Sequence, residues 1–92
     1  MDVYSQIAVK IIKQQESIIG PVAVEQAKKV SGLTIDWDKQ SVTISGDEAA
    51  AIDKLIDQYK DLFGQISVEV CKEAAGSLIG QLPANGLPKE LK

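Results

Sequence analysis

The sequence contains no arginine and no histidine, and it contains a single cysteine, Cys71. Without histidine, these 92 residues cannot assemble a Cys/His metal cluster, a Ser–His pair or a Cys–His pair. One cysteine cannot form an intramolecular disulfide. Arginine supplies the planar fork that holds phosphates and carboxylates through paired hydrogen bonds, so its absence disfavours nucleic-acid binding without excluding it.

The predicted local structure explains the positions of the remaining reactive groups. Asp36 and Asp38 flank Trp37 at a predicted hairpin turn, and Asp47 with Glu48 stands at the start of a predicted helix that either Asp47 or Ser45 can cap. Acid–base catalysis needs two carboxyl groups that face each other in a cleft, and these positions instead suit a turn and a helix cap. Cys71 lies within a predicted apolar helix, where we expect a buried thiol. We therefore expect no catalytic, metal-binding or cofactor-binding residue, and no enzyme activity.

Long hydrophobic runs and a basic leader are also missing. Lysine interrupts the stretch between Ile7 and Ile12, and Met1-Asp2 lacks the positive charge that opens a secretory signal. We therefore expect neither a signal peptide nor a membrane span, and a cytoplasmic protein by default. The net charge is −3, with the acids concentrated in residues 33–63, so the surface there should be acidic.

A β-hairpin is the clearest feature that the sequence does contain. Leu33, Ile35 and Trp37 alternate with polar residues, and after a polar turn Val42 and Ile44 do the same. A period of two on both sides of a turn predicts an antiparallel pair of strands with one apolar face and one solvent-exposed polar face. Because an isolated hairpin is at best marginally stable, that apolar face needs helices packed against it.

Helical periodicity precedes the hairpin. One predicted helix spans residues 2–19, with Asp2 as its cap and two adjoining apolar strips: Val3, Ile7 and Ile11, and Tyr4, Ala8 and Ile12. Gly20-Pro21 interrupts the pattern, and a second helix is predicted over residues 21–30. The alternative is one helix with a kink at the proline.

Two further helices are predicted after the hairpin. Residues 52–63 carry the pattern i, i+3, i+4, i+7, i+11 and end before Gly64. Residues 65–80 are predicted as helix, although 65–71 also alternate like a strand. From Pro83 the sequence has turn chemistry and nothing to bury. The prediction is a single α+β domain over residues 1–82, ordered α-α-β-β-α-α, with the third helix as the hairpin's main partner and a flexible tail over 83–92.

The first helix has an apolar arc about half its circumference wide, broader than a minimal surface helix needs. Either the rest of the fold surrounds this helix, or part of the arc contacts another chain. Trp37 likewise has two interpretations: it is either a core anchor or an aromatic side chain that contacts a partner. The leading hypothesis is a non-catalytic protein–protein interaction or oligomerisation module that forms a symmetric dimer or docks onto a larger protein. Its predicted interface is Val3, Ile7, Ile11 and Trp37.

A partial resemblance supports the alternative hypothesis. Ile18-Ile19-Gly20, the following helix, and the pattern Val-x-Ile-x-Gly-Asp at residues 42–47 resemble the latter part of a KH domain over residues 18–63. The resemblance implies an α-β-β-α unit that binds nucleic acid. Gly20-Pro21-Val22-Ala23 stands where that family's loop has a second glycine and a lysine, so this hypothesis ranks second. Its candidate contacts are Lys10, Lys13, Lys28 and Lys29. A third hypothesis is a small-molecule pocket between hairpin and helices.

Overall fold

The computed structural model describes residues 2–92 and confirms the predicted α+β class with the order α-α-β-β-α-α. The main elements are α1 (Val3–Ile19), α2 (Val22–Ala27), β1 (Leu33–Asp36), β2 (Ser41–Ile44), α3 (Glu48–Phe63) and α4 (Gln65–Ala75). Short 3-10 segments follow at Trp37–Lys39, Gly76–Gln81, Ala84–Gly86 and Lys89–Leu91. Among residues 2–92, no helix has both the length and the hydropathy that crossing a membrane requires.

Two aspartates begin the two longest helices, as the sequence predicts. Asp2 Oδ1 accepts a hydrogen bond from the Ser5 N–H at 2.9 Å, and Asp47 Oδ1 accepts one from the Ala50 N–H at 3.1 Å. Each carboxylate satisfies a backbone donor that has no partner within its own helix, which is typically worth about 1 kcal/mol.

The hairpin has the predicted alternation. Its antiparallel register pairs Leu33 with Ile44 and Ile35 with Val42. Leu33 and Val42 are buried, whereas Thr34 on the other face is exposed. One face of the two-stranded sheet therefore contributes to the core and the other meets solvent.

The central element is α1, which packs against α2, α3, α4 and β2. The prediction that the third helix is the hairpin's main partner is therefore wrong, since α1 makes the principal helix contact with the sheet. The reason lies in the width of the apolar arc of α1. A helix with neighbours on several sides needs apolar side chains around much of its circumference.

Two glycines form the corners between consecutive helices. Gly20, between α1 and α2, has φ 77° and ψ −159°; Gly64, between α3 and α4, has φ 85° and ψ −172°. This backbone region is open almost exclusively to glycine. The first two helices are therefore separate helices and not one kinked helix. The helical prediction for residues 65–71 is confirmed, since these residues belong to α4.

The C-terminal segment 83–92 packs against the helices. Pro88 and Leu91 are buried, and the Tyr4 hydroxyl donates a hydrogen bond to the Gly86 carbonyl oxygen at 2.9 Å. The expectation that this segment has nothing to bury is wrong for these two side chains. A segment rich in turn residues can still bury apolar side chains when a 3-10 turn directs them toward the helices.

Candidate protein-binding surface

The predicted interface on the first helix is corrected at two positions. Ile7 and Ile11 have no exposed surface at all and belong to the central core. Val3 is half-buried and packs against the same core. The neighbours of α1 cover its apolar arc within one chain, so these isoleucines cannot contact a partner unless the domain opens.

Trp37, the remaining predicted interface residue, acts as an anchor. It is the first residue of the 3-10 turn between the strands and is partly buried against the core. Its indole Nε1–H donates to Glu16 Oε2 at 3.2 Å. A buried apolar body with a hydrogen-bonded polar edge is the usual role of tryptophan at such a boundary. Trp37 therefore ties the hairpin tip to α1.

The four candidate lysines are all exposed, but the structure does not gather them. Lys10 and Lys13 line an open groove of about 540 Å³ between α1 and α4. Lys29 lines a separate groove of about 250 Å³ beside α3, where two aspartates also lie. Lys28 lines neither groove. The resemblance of residues 18–63 to a KH unit stays a prediction.

Cys71 is fully buried, as the sequence predicts. Burial raises the pKa of its thiol to about 11, although a hydrogen bond from Gln15 acts in the opposite direction. The Gln15 Nε2 group donates to Cys71 Sγ at 3.5 Å and to the Ser67 carbonyl oxygen at 3.3 Å. These contacts tie α1 to α4, and a thiol with this pKa is protonated near neutral pH.

Carboxyl groups meet at two places on the surface. A hydrogen bond between Asp2 and Glu48 lowers the pKa of Asp2 and raises the pKa of Glu48. A hydrogen bond with Asp57 and, to a smaller extent, burial both raise the pKa of Glu90. Within residues 2–92, no group of three or more His, Cys, Asp or Glu side chains is arranged to hold a metal ion.

The unexplained feature is a set of large apolar side chains that remain exposed at the two helix corners. We call this set the apolar end; its members, with their exposed fractions, are Ile18 (58%), Val22 (39%), Leu62 (50%), Phe63 (39%) and Ile66 (71%). Two of them border the α1–α2 corner, and three border the α3–α4 corner.

Packing of α1 on α4 brings these two corners together. The Gln15 side chain contacts the first turns of α4, whereas residues earlier in α1 share a groove with the last turn of α4. The two helices therefore run antiparallel. Ile18 lies about one turn beyond Gln15, which places it at the same end of this helix pair as Gly64 and Ile66.

Packing of α2 on α3 has the same consequence. Gln58 Nε2 donates to Gln26 Oε1 at 2.7 Å. Val22 lies one turn before Gln26, and Leu62 lies one turn after Gln58. The Tyr59 hydroxyl contacts the Ala23 carbonyl oxygen, three positions before Gln26, so the two helices run antiparallel and these steps lead in the same direction along the molecule. Val22 and Leu62 therefore lie at the same end of this helix pair.

Sequence reasoning missed this surface, although one signal was present. Leu62 falls outside the apolar pattern that defines the third helix, and it stands next to Phe63 at the end of that helix. Ile66 has the helical spacing of an inward residue with Val70 and Ala74, but it lies in the first turn of α4 and is exposed. Comparison with protein-family models, with curated proteins and with solved structures finds no match for this chain.

Proposed function

We propose that this protein is a non-catalytic protein–protein interaction module and that the apolar end is its binding surface. The observation that supports the proposal is the exposure of five large apolar side chains at two adjoining corners. Large contiguous apolar patches on a soluble domain usually mark interaction sites. Phe63 provides an aromatic side chain of the kind that often dominates binding energy.

This proposal moves the interface from the first helix to the corners. Ile7 and Ile11 of α1 are needed for the core, whereas the side chains of the apolar end can be covered only from outside the domain. A second copy of the chain or a different protein would use the same surface. We propose the cytoplasm as the location, since a lone unpaired cysteine suits a reducing compartment.

Selection from a displayed library of random peptides tests the proposal. The bait is the whole chain, and selected peptides are then measured against a Leu62→Ser/Ile66→Ser variant. Both changed side chains are at least half exposed, so the variant should keep its circular dichroism spectrum and its unfolding midpoint. We expect selected peptides to lose binding to this variant.

Val3→Ser is the matched control, because it changes a partly exposed apolar residue of the original prediction. Val3 lies at the opposite end of α1 from Ile18, about 22 Å away along the helix axis. Peptides should bind this variant as they bind the unchanged chain. Failure to select any peptide, or binding that survives Leu62→Ser/Ile66→Ser, would overturn the proposal.

A further inference from the structure

We propose that Asp57 and Glu90 form a pH-sensitive contact that holds the last 3-10 turn, Lys89–Leu91, on α3 more tightly in mildly acidic than in neutral solution. We call these two residues the carboxyl pair. The inference goes beyond the proposed function and does not depend on it. Its basis is the position of the Glu90 side chain against a row of charged residues on α3.

Two contacts define where the Glu90 side chain lies. Its backbone N–H donates to Asp53 Oδ1 at 2.9 Å, and its Oε2 lies 3.9 Å from Lys60 Nζ. Asp53, Asp57 and Lys60 are spaced i, i+4 and i+7 and so share one face of α3. The Glu90 side chain therefore extends past Asp57 toward Lys60, which brings the two carboxyl groups together.

One oxygen of Glu90 has no hydrogen-bond donor. Glu90 Oε2 is buried, and among residues 2–92 no donor lies within hydrogen-bonding distance of it. Lys60 Nζ, at 3.9 Å, is too far away. An ionised carboxylate only accepts hydrogen bonds, whereas a protonated carboxyl group also donates one. A proton shared by the carboxyl pair therefore supplies a hydrogen bond that two ionised carboxylates cannot form.

The pKa of Glu90 agrees with this geometry. The hydrogen bond with Asp57 raises it above its ordinary value of 4.5, and burial and the negative charge of Asp57 act in the same direction. The docked turn therefore binds the proton more tightly than the unfolded chain does. This stabilisation is fully present below about pH 4.5 and is lost as the pH rises through the raised pKa of Glu90.

The other charged and titratable groups that face Glu90 come from both helices under the turn. On α3, the positive charge of Lys60 favours ionised Glu90, whereas the negative charge of Asp53 opposes it. On α4, the buried Cys71 thiol lies close enough to interact with the Glu90 charge. Protonation of Asp53 would weaken its hydrogen bonds to the Lys89 and Glu90 N–H groups. A test must therefore separate Asp53 from the carboxyl pair.

Apolar contacts set the size of the expected effect. Pro88 and Leu91, on either side of Glu90, are buried, and both α3 and α4 pack against the turn. Because these contacts do not titrate, the turn stays docked at neutral pH and only the strength of docking changes. We expect a change of roughly two- to fivefold in the unfolding equilibrium constant, as for one partly exposed charge contact.

Urea unfolding at a series of pH values, with the whole chain and with Glu90→Gln, tests the proposal. Glutamine has the shape of glutamate and keeps an N–H donor for Asp57 at every pH. Between about pH 4 and about pH 7, the unfolding constant of the unchanged chain should rise roughly two- to fivefold relative to that of the variant. This ratio removes the pH response of Asp53, because both proteins contain it.

The methyl resonances of Leu91 show whether the turn itself responds. In the unchanged chain, we expect their NMR chemical shifts to change over the same pH interval as the ¹³C shift of the Glu90 carboxyl group. Most of this change should be absent in Glu90→Gln. Glu48→Gln is the matched control, because Glu48 also shares a hydrogen bond with an aspartate, Asp2. In the control, Leu91 should respond to pH as it does in the unchanged chain.

Three results would overturn the proposal. A constant ratio of unfolding constants would show that the carboxyl pair adds no pH dependence. A ratio that falls as the pH rises would show that the attraction between Glu90 and Lys60 outweighs the shared proton. If Glu90→Gln keeps the full response of Leu91, another group such as Asp53 causes it. None of these results involves the apolar end, so the proposed function stands or fails separately.

Discussion

The hydroxyl of Tyr59 donates a hydrogen bond to the carbonyl oxygen of Ala23 at 2.6 Å, although the two residues are 36 positions apart in sequence. The Tyr59 side chain is fully buried, and burial raises the pKa of its hydroxyl. The bond joins α3 to α2 one turn before Phe63 and next to Val22. It therefore holds together the two helix corners that form the apolar end.

Removal of this hydroxyl should destabilise the protein. We expect Tyr59→Phe to lower the free energy of unfolding by about 1 kcal/mol, the usual net contribution of a buried hydrogen bond. Tyr4→Phe is the control, because the Tyr4 hydroxyl donates to the Gly86 carbonyl oxygen in a partly buried site. Urea unfolding measures both variants. We expect the smaller loss in Tyr4→Phe, and equal losses in the two variants would contradict the larger effect expected at the buried site.

The glycine at the α3–α4 corner should tolerate no side chain. Gly64 has φ 85° and ψ −172°, so we expect Gly64→Ala to cost about 1–3 kcal/mol of unfolding free energy. Gly80→Ala is the control, since Gly80 lacks a positive φ and has space for a Cβ atom. The cost at Gly64 should come from the backbone alone, because an added Cβ meets no atom within 4 Å. Similar stability of the two variants in urea would refute this explanation.

Local features of the fold were predictable because each depends on a short stretch of sequence. The alternation around Leu33 and Val42 identifies the hairpin, and Asp2 and Asp47 identify two helix starts. Periodicity also shows that α1 has a broad apolar arc. It does not show which elements cover that arc, and so the assignment of Ile7 and Ile11 to an interface failed.

The candidate surface was harder to predict because exposure depends on tertiary packing. Ile66 has the spacing of a buried residue, yet it is exposed in the first turn of α4. Leu91 stands in a segment of turn residues, yet it is buried. In both cases the exposure of the side chain depends on neighbours from other elements of the fold. Sequence periodicity carries no information about those neighbours.

The Asp53 carboxylate should protect the backbone at the start of the last 3-10 turn. Asp53 Oδ2 accepts from the Lys89 N–H at 3.0 Å, and Asp53 Oδ1 accepts from the Glu90 N–H at 2.9 Å. We expect Asp53→Ala to speed amide hydrogen exchange at Lys89 and Glu90 and to cost about 1 kcal/mol. Asp38→Ala, an exposed acid in the hairpin turn, should change neither. Unchanged exchange in Asp53→Ala would show that other contacts hold the segment.

The buried thiol of Cys71 should make stability fall in alkaline solution. Its pKa is about 11 in the folded protein against an ordinary value of 9.0. The folded state therefore holds the thiol proton more tightly than the unfolded state does. This contribution is fully present below pH 9 and is lost as the pH rises toward 11. At about 1.4 kcal/mol for each pKa unit, the total loss is roughly 2–3 kcal/mol.

Cys71→Ala isolates this effect, because it removes the titrating group from both states. Its unfolding free energy should be lower than that of the unchanged chain at neutral pH, since it leaves a small cavity. The unfolding free energy of Cys71→Ala should nevertheless fall less between pH 9 and pH 10. The comparison stops at pH 10 because Tyr59 contributes a similar loss at higher pH: burial raises its pKa in the folded protein above the ordinary value of 10.0. Urea unfolding at a series of pH values provides the comparison. If the two proteins lose stability in parallel over this interval, ionisation of Cys71 is not the cause.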